Sequence, residues 1–341
     1  MWKIFILISM FFTACSVEQT VKNFPRSENI HLNETIILEP INVSGSMFTT
    51  DDYLVIYQLK IDSMLFRYYS LDDLQFVLGG GRRGRGPDEF VTPPNVRSFI
   101  VEGNGFNCIS TPFTYMVHIE DNDLRIVRHE SELDITLRSF GSNNFAKVAE
   151  DVYCVSNANL GKNYEFVLFD KKGENARWVS PYPNWANVNL SEGQGFLTYV
   201  STVVANPELK RFIVFYAYFR RVRMFDSEGK MIKDISVEFP FKFPQYEPKS
   251  RVLAYSQIPY YDDKYIYLIS LNGESSKKGE STELQIWNWN AEPVAILNLD
   301  KRLNQFTISQ EKKRLYAINP NNDIINNKIF WCDLPAWLYN K

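Results

Sequence analysis

The residues best suited to chemistry by type and spacing lie in one run, Gly79-Gly80-Gly81-Arg82-Arg83-Gly84-Arg85-Gly86-Pro87-Asp88-Glu89-Phe90. Five glycines within eight positions free the backbone for tight concave turns. Successive N–H groups in such turns form nests that hold anions. Three arginines add planar forks that grip carboxylate or phosphate at two points. Asp88 and Glu89 supply the competing arrangement, in which the arginines pair within the chain and the glycines serve only unusual backbone angles. Arg82, Arg83, Arg85, Asp88 and Glu89 are therefore the ligand-binding candidates, for an acidic glycan or a partner's carboxylates, and Phe90 is expected to anchor the run in a core.

Other anion chemistries fit less well. Gly79-x-Gly81-x-x-Gly84 matches a dinucleotide fingerprint as a string, but that fingerprint needs a helix after it. Here Gly86-Pro87 and Thr92-Pro93-Pro94 follow, which forbids one. No Gly-Lys-Ser/Thr occurs in the run, which excludes a P-loop. The net charge of −3 argues against nucleic acid as a partner.

Catalytic constellations are sparse. The three histidines, His31, His118 and His129, form no metal-ligand spacing, and no Gly-x-Ser-x-Gly elbow is present. No metal or cofactor is expected. Asp51-Asp52, Asp72-Asp73 and Asp262-Asp263 fall where turns are expected, and Asn319-Pro320-Asn321-Asn322-Asp323 is oxygen-rich without an EF-hand pattern. Carboxylates converging across the fold would still permit a glycosidase-like site.

The elements that position these residues repeat. Aromatics make up 15% of the chain, with 25 Phe and 19 Tyr, which favours strands. A short apolar unit recurs about every fifty residues, as Asp52–Tyr57, Gly105–Ser110, Asp151–Ser156, Arg211–Tyr216, Tyr265–Ser270 and Arg314–Asn319. Each is preceded by a further apolar stretch and followed by a strand ending near an acid or amide. Those endings include Phe169-Asp170, Phe225-Asp226 and Trp289-Asn290, several with hairpin residues after them. A third strand follows each of the first five units. Six repeats of about four antiparallel strands predict an all-β, six-bladed β-propeller. The sixth repeat lacks its outer strand, and Glu34–Glu39 is a spare one. Residues 34–39 are expected to pair with Lys328–Cys332, complete the last blade and close the ring. Cys108 and Cys154 fall at an apolar strand position and read as core residues, bridged only if their Cα atoms come within about 7 Å.

The first residues read as an address. Lys3, the apolar run Ile4–Phe12 and Thr13-Ala14-Cys15 resemble a bacterial lipobox in the loose form common in Bacteroidetes. Residues 1–14 are then a signal peptide, Cys15 carries the lipid, and polar residues 15–33 form a tether before a propeller at 34–341. Ser16 after the cysteine, by resemblance to known sorting rules, implies the outer membrane.

Gly84-Arg85-Gly86-Pro87-Asp88-Glu89-Phe90 has the form Gly-x-Gly-Pro-x-Glu-Phe, after an apolar strand and with Arg82 and Arg83 before it. In this the chain resembles the TolB-like six-bladed propeller lipoproteins of Bacteroidetes. The resemblance implies a fold and a cell-envelope location, not an activity. The expected function is a binding or scaffold propeller for a glycan, peptide or envelope protein, with Trp178, Tyr182, Trp185 and Tyr218 able to stack on sugars or to pack between blades. The alternative is an envelope hydrolase or lyase acting at the central channel mouth.

Overall fold

The computed structural model describes residues 17–42, 46–59, 64–86, 88–94, 99–110, 113–130, 145–156, 163–173, 175–186, 195–238, 245–248, 252–256, 258–271, 281–303, 305–318 and 325–340. Three strands open the chain: β1 (Val17–Val21), β2 (Ser27–Ile30) and β3 (Asn33–Asn42). Blade I is β4 (Ser46–Thr49), β5 (Tyr53–Tyr57), β6 (Phe66–Ser70) and β7 (Phe76–Gly80). A short parallel pair, β8 (Arg82–Arg83) and β9 (Glu89–Phe90), leads out of it. Blade II is β10 (Ile100–Glu102), β11 (Gly105–Ser110), β12 (Phe113–Glu120) and β13 (Asp123–Glu130). Blade III is β14 (Phe145–Ala149), β15 (Val152–Ser156), β16 (Tyr164–Phe169) and β17 (Arg177–Pro181). A one-turn helix, α1 (Gly195–Thr198), precedes blade IV, which is β18 (Ser201–Asn206), β19 (Arg211–Tyr216), β20 (Arg221–Asp226) and β21 (Met231–Val237). Blade V is β22 (Tyr260–Tyr261), β23 (Tyr265–Ser270), β24 (Thr282–Asn288) and β25 (Pro293–Leu299). Blade VI is β26 (Gln305–Ser309), β27 (Arg314–Ile318) and β28 (Ile325–Asp333), completed by β3.

Within each blade, strands adjacent in sequence are adjacent and antiparallel in the sheet. The six first strands face one central channel, as a six-bladed propeller requires. The second strands are almost wholly apolar because both of their faces are covered by neighbouring blades, as in β5, β19 and β23. Between blades lie aromatic cores. Blades I and II share Phe66, Tyr68, Phe90, Phe106 and Tyr115, and blades IV and V share Phe215, Tyr255 and Trp287.

The antiparallel path gives the ring two faces. Blade-to-blade connections and second-to-third loops form the upper face. First-to-second and third-to-fourth turns form the lower one. The lower turns explain their residues. Asp226 Oδ1 accepts from the N–H groups of Glu228 and Lys230, both at 2.9 Å, and Gly229 takes φ +79°. Blade V repeats this with Asn288, which accepts from Asn290 at 2.9 Å and Glu292 at 3.0 Å. Its turn therefore begins two residues before the expected Trp289-Asn290 ending.

Closure follows expectation. β3 pairs antiparallel with β28, Asn33 opposite Trp331 and Ile36 opposite Lys328. The stretch read as a tether contains two more strands. β1 runs parallel to β21 on the outer edge of blade IV, and β2 runs parallel to β25 on that of blade V. Phe24 and Leu32, between and after them, are buried in the interblade cores. An outer-edge strand is held by backbone hydrogen bonds, so the polar sequence Val17-Glu18-Gln19-Thr20-Val21 serves as well as an apolar one. In blade V the inner strand expected at Leu253–Ile258 is displaced to β22, leaving an isolated bridge between Tyr255 and Ser270. Pro259 lies between the two and has no N–H to donate.

Candidate functional site

The glycine-arginine run crosses the upper face from β7 of blade I toward β10 of blade II. Gly81 takes φ +73° and its carbonyl accepts from Leu65 N–H at 2.7 Å. β8 then pairs with β9, Arg82 opposite Glu89 and Arg83 opposite Phe90. Gly84 N–H donates to Phe90 O at 3.0 Å, and Gly86 N–H donates to Glu89 Oε2 at 2.7 Å. A Cβ on Gly84 would lie 1.8 Å from that oxygen. The glycines thus make room for the run's own carboxylate, and Glu89 occupies the place an external anion would take. Phe90 is fully buried, its ring 4.6 Å from that of Tyr115, and it anchors the connection as expected.

Arg82, Arg83, Arg85 and Asp88 are exposed, and among the described residues the three arginines make no ion pair. They project from the upper face as unpaired cations and do not fold back onto Asp88 or Glu89. Cys15 and the Asn319–Asp323 stretch lie outside the described residues.

At the centre of the ring lies the channel, a cavity of about 360 Å³ to which no residue of the glycine-arginine run contributes. All six blades contribute to its wall. Its aromatic and aliphatic residues include Phe48, Phe99, Ala146, Val203, Tyr260 and Phe306, and its hydroxyls come from Ser46, Ser156, Thr202 and Thr307, among others. Phe99, Ile258 and Pro259 belong to blade-to-blade connections, so the cavity reaches the upper face. No carboxylate, imidazole or cationic group lies among its described lining residues. Such a wall can hold an apolar or ring-shaped group and orient it through a few hydroxyls.

A third constellation was not anticipated. Glu165, on β16, is 4% exposed at the seam between blades III and IV. It accepts from Tyr216 OH at 2.7 Å, Ser180 Oγ at 2.8 Å and Arg223 Nη1 at 2.9 Å. Arg223 also bonds Asp234, whose other oxygen meets Arg221 at 2.9 Å, and Arg221 reaches Glu18 on β1 at 3.3 Å. Both guanidinium groups lie over the Trp185 ring, at 4.5 and 4.3 Å. Burial pushes the Glu165 carboxyl up to about 7, against the opposing pull of Arg223 and the two hydroxyls. This network links blade III, blade IV and the N-terminal strand. With Glu165 sealed from solvent, its role is to position the seam.

The sequence carried a signal for it. An acid interrupts the otherwise apolar third strand of blade III, Tyr164-Glu165-Phe166-Val167-Leu168-Phe169.

The aromatic candidates are packed between or within blades. Tyr182 stacks on Tyr199 at 5.6 Å, Trp185 meets Tyr216 edge-on at 4.8 Å, and Tyr218 contacts Tyr246. Trp178 packs against the apolar core of blade III. Cys108, Cys154 and Cys332 are free and buried, and burial pushes their thiols up. His31 pairs with Asp300. Among the described residues no group of His, Cys, Asp and Glu is placed to hold a metal, and no helix is long and apolar enough to cross a membrane.

Comparison with known proteins places the fold. A DUF4221-family protein from Bacteroides vulgatus superposes with a TM-score of 0.51 at 10% identity, covering 88% of this chain and 95% of the other. A virginiamycin B lyase from Staphylococcus aureus gives 0.45 at 11% identity, over 89% and 99%. A luciferin-regenerating enzyme gives 0.42 at 9%, over 88% and 94%. At 10% identity the likeness to the first of these is one of fold. No curated protein sequence matches the chain. Residues 20–311 match the TolB-like 6-blade propeller-like family, and the chain belongs to it.

Proposed function

We propose that this protein is a lipid-anchored binding propeller of the cell envelope, held through Cys15 at the outer membrane. On this reading its upper face takes a glycan, a peptide or another envelope protein. The observation that carries the reading is the channel wall, with its apolar, aromatic and hydroxyl groups drawn from all six blades. Such a surface suits retention of a guest without chemical change. A hydrolase or lyase would need an acid–base pair at that wall, and the described lining offers none. The exposed Arg82, Arg83 and Arg85, which follow the outer strand β7, add an attraction for acidic groups of a ligand that spreads over the upper face.

The test is a glycan and peptide binding screen on the mature chain, with Ala146→Trp to fill the channel and an Arg82/Arg83/Arg85 to Ala variant beside it. A ligand retained by the wild type should lose at least tenfold in affinity on Ala146→Trp, and an acidic one should also weaken in the arginine variant. Binding that neither variant alters would overturn the reading. Mass analysis of the N-terminal peptide tests the acyl group on Cys15.

A further inference from the structure

The inner wall of the ring is made of strand edges. Each blade's first strand pairs with its second strand on one side only, so its other edge faces the channel. Thr50 N–H donates to Tyr53 O, and Ala217 N–H donates to Val200 O. Hydrogen-bonded pairs of this kind alternate with non-bonded ones along an antiparallel ladder. Met47 stands opposite Ile56 and Thr49 opposite Leu54, so the N–H and C=O of Met47 and Thr49 turn toward the channel. Those of Val203, opposite Val214, do the same in blade IV. Ile308 O shows what such an edge demands, since it accepts from Thr49 Oγ1 at 2.9 Å across the seam of blades VI and I.

The side chains along these edges add rings and hydroxyls. Phe99 of blade II and Tyr260 of blade V line the cavity from opposed blades of the six-membered ring. Phe48 packs beside Phe99, the ring centroids 4.9 Å apart. Ser46, Thr49 and Ser156, each half-buried, bring hydroxyls from blades I and III. The wall thus combines ring faces with many donors and acceptors and, among its described residues, no ion.

That combination selects among guests. A carboxylate or ammonium group would lose its hydration there without gaining a counter-ion. A hydrocarbon would leave the hydroxyls and the strand-edge peptide groups unpaired. A pyranose ring meets both halves of the wall. Its C–H faces can lie on aromatic rings, and its rim hydroxyls both donate and accept. The cavity of about 360 Å³ has the room of about twelve waters at ~30 Å³ each, enough for one ring and the waters that bridge it to the wall.

We infer that the channel is a subsite for one uncharged pyranose residue of a glycan. This rests on the reading of the channel as a binding site and narrows it. The neutral residue enters the channel, and any acidic groups of the same glycan stay on the upper face, where Arg82, Arg83 and Arg85 are exposed.

The experiment titrates the full chain by calorimetry with the methyl glycosides of glucose, galactose, mannose and N-acetylglucosamine. Glucuronate, glucosamine, cyclohexanol and a capped dialanine are the comparison probes. At least one neutral glycoside should bind about tenfold more tightly than every comparison probe. Ala146→Trp, which fills the channel, should abolish that binding. Ser156→Lys puts a cation into the wall and should reverse the order, with glucuronate bound more tightly than the neutral ring. The second variant also keeps the test open if the added bulk at position 146 unfolds the ring.

Binding of cyclohexanol or the dialanine but of no glycoside at millimolar concentration, lost on Ala146→Trp, keeps the channel as a binding site and overturns the sugar. Equal affinity for neutral and charged sugars overturns the uncharged subsite. Glycoside binding that neither variant alters puts the sugar elsewhere and overturns the subsite as well. Failure of every probe here and of every ligand in the wider screen removes the sugar and the binding reading together.

Discussion

Blades IV to VI and blades I to III are built from the same four-strand unit, yet their rims differ. β1, β2 and β3 cover the outer strands of blades IV and V and complete blade VI. β21 and β25, beneath that cover, bury several residues each. β7 and β17 bury none, and β13 buries two. Phe76, Val77 and Val127 remain exposed on the uncovered rims. An outer strand's burial is therefore set by what residues 17–42 do, and less by its own composition. The covered half is joined to the uncovered half at the blade III–IV seam by the Glu165–Arg223–Asp234–Arg221–Glu18 network.

The largest effect should come from removing the cover in two steps. Truncation to residue 31 removes β1 and β2 and leaves closure intact, so cooperative urea unfolding should persist with a lower midpoint. Truncation to residue 43 also removes β3. The ring should then open, seen as loss of the cooperative transition and rapid proteolysis. Retention of a sharp transition without β3 would show that the three strands only decorate a ring closed by other means.

At the seam the expected effect is pH-dependent. The folded Glu165 carboxyl titrates near 7, above the 4.5 of a free glutamate. The folded protein therefore holds a proton that the unfolded chain releases between those values. Stability from this group is full below about pH 4.5 and is lost as pH rises through 7. Between pH 4.5 and 7.5 the wild type should lose on the order of 3 kcal/mol relative to Glu165→Gln. Urea denaturation across that range measures it, and parallel profiles would show that Glu165 ionises as freely when folded as when unfolded.

In the uncovered half, Gly84→Ala should cost about 1–3 kcal/mol, because its Cβ displaces the Glu89 carboxylate from Gly86 N–H. The same change in a Glu89→Ala background should cost less, and thermal unfolding of the pair forms a double-mutant cycle. The smallest effect belongs to the Arg82/Arg83/Arg85 to Ala variant. These side chains are exposed and unpaired, so stability should stay within about 0.5 kcal/mol while any acidic ligand is lost.

The two halves also differ in how much of them could be read in advance. The second strands, the closing strand and the turns at Asn122, Gly173 and Gly229 were legible because burial on both faces demands apolar residues and positive φ favours glycine or asparagine, whereas Leu74, Lys210, Ala291 and Lys313 take positive φ without that signal. β1 and β2 were not, because backbone pairing on an outer edge places little demand on side chains. Glu89 was singled out as a binding residue, yet the spacing from Gly84 to Glu89 did not reveal that these glycines are small for its sake. For Glu165, the acid within Tyr-Glu-Phe-Val-Leu-Phe was a usable anomaly. Its partners come from other strands and could be found only after folding.

The closing strand has a consequence for how the molecule assembles. β3 and β28 pair although they lie far apart in the sequence. The contact between Trp331 Nε1 and Thr35 Oγ1 spans 296 residues. Until β28 appears, blade VI has no partner for β3, and the first and last blades cannot meet. Ring closure therefore requires two segments nearly three hundred residues apart to meet, and without β28 the β3 strand presents an unpaired edge.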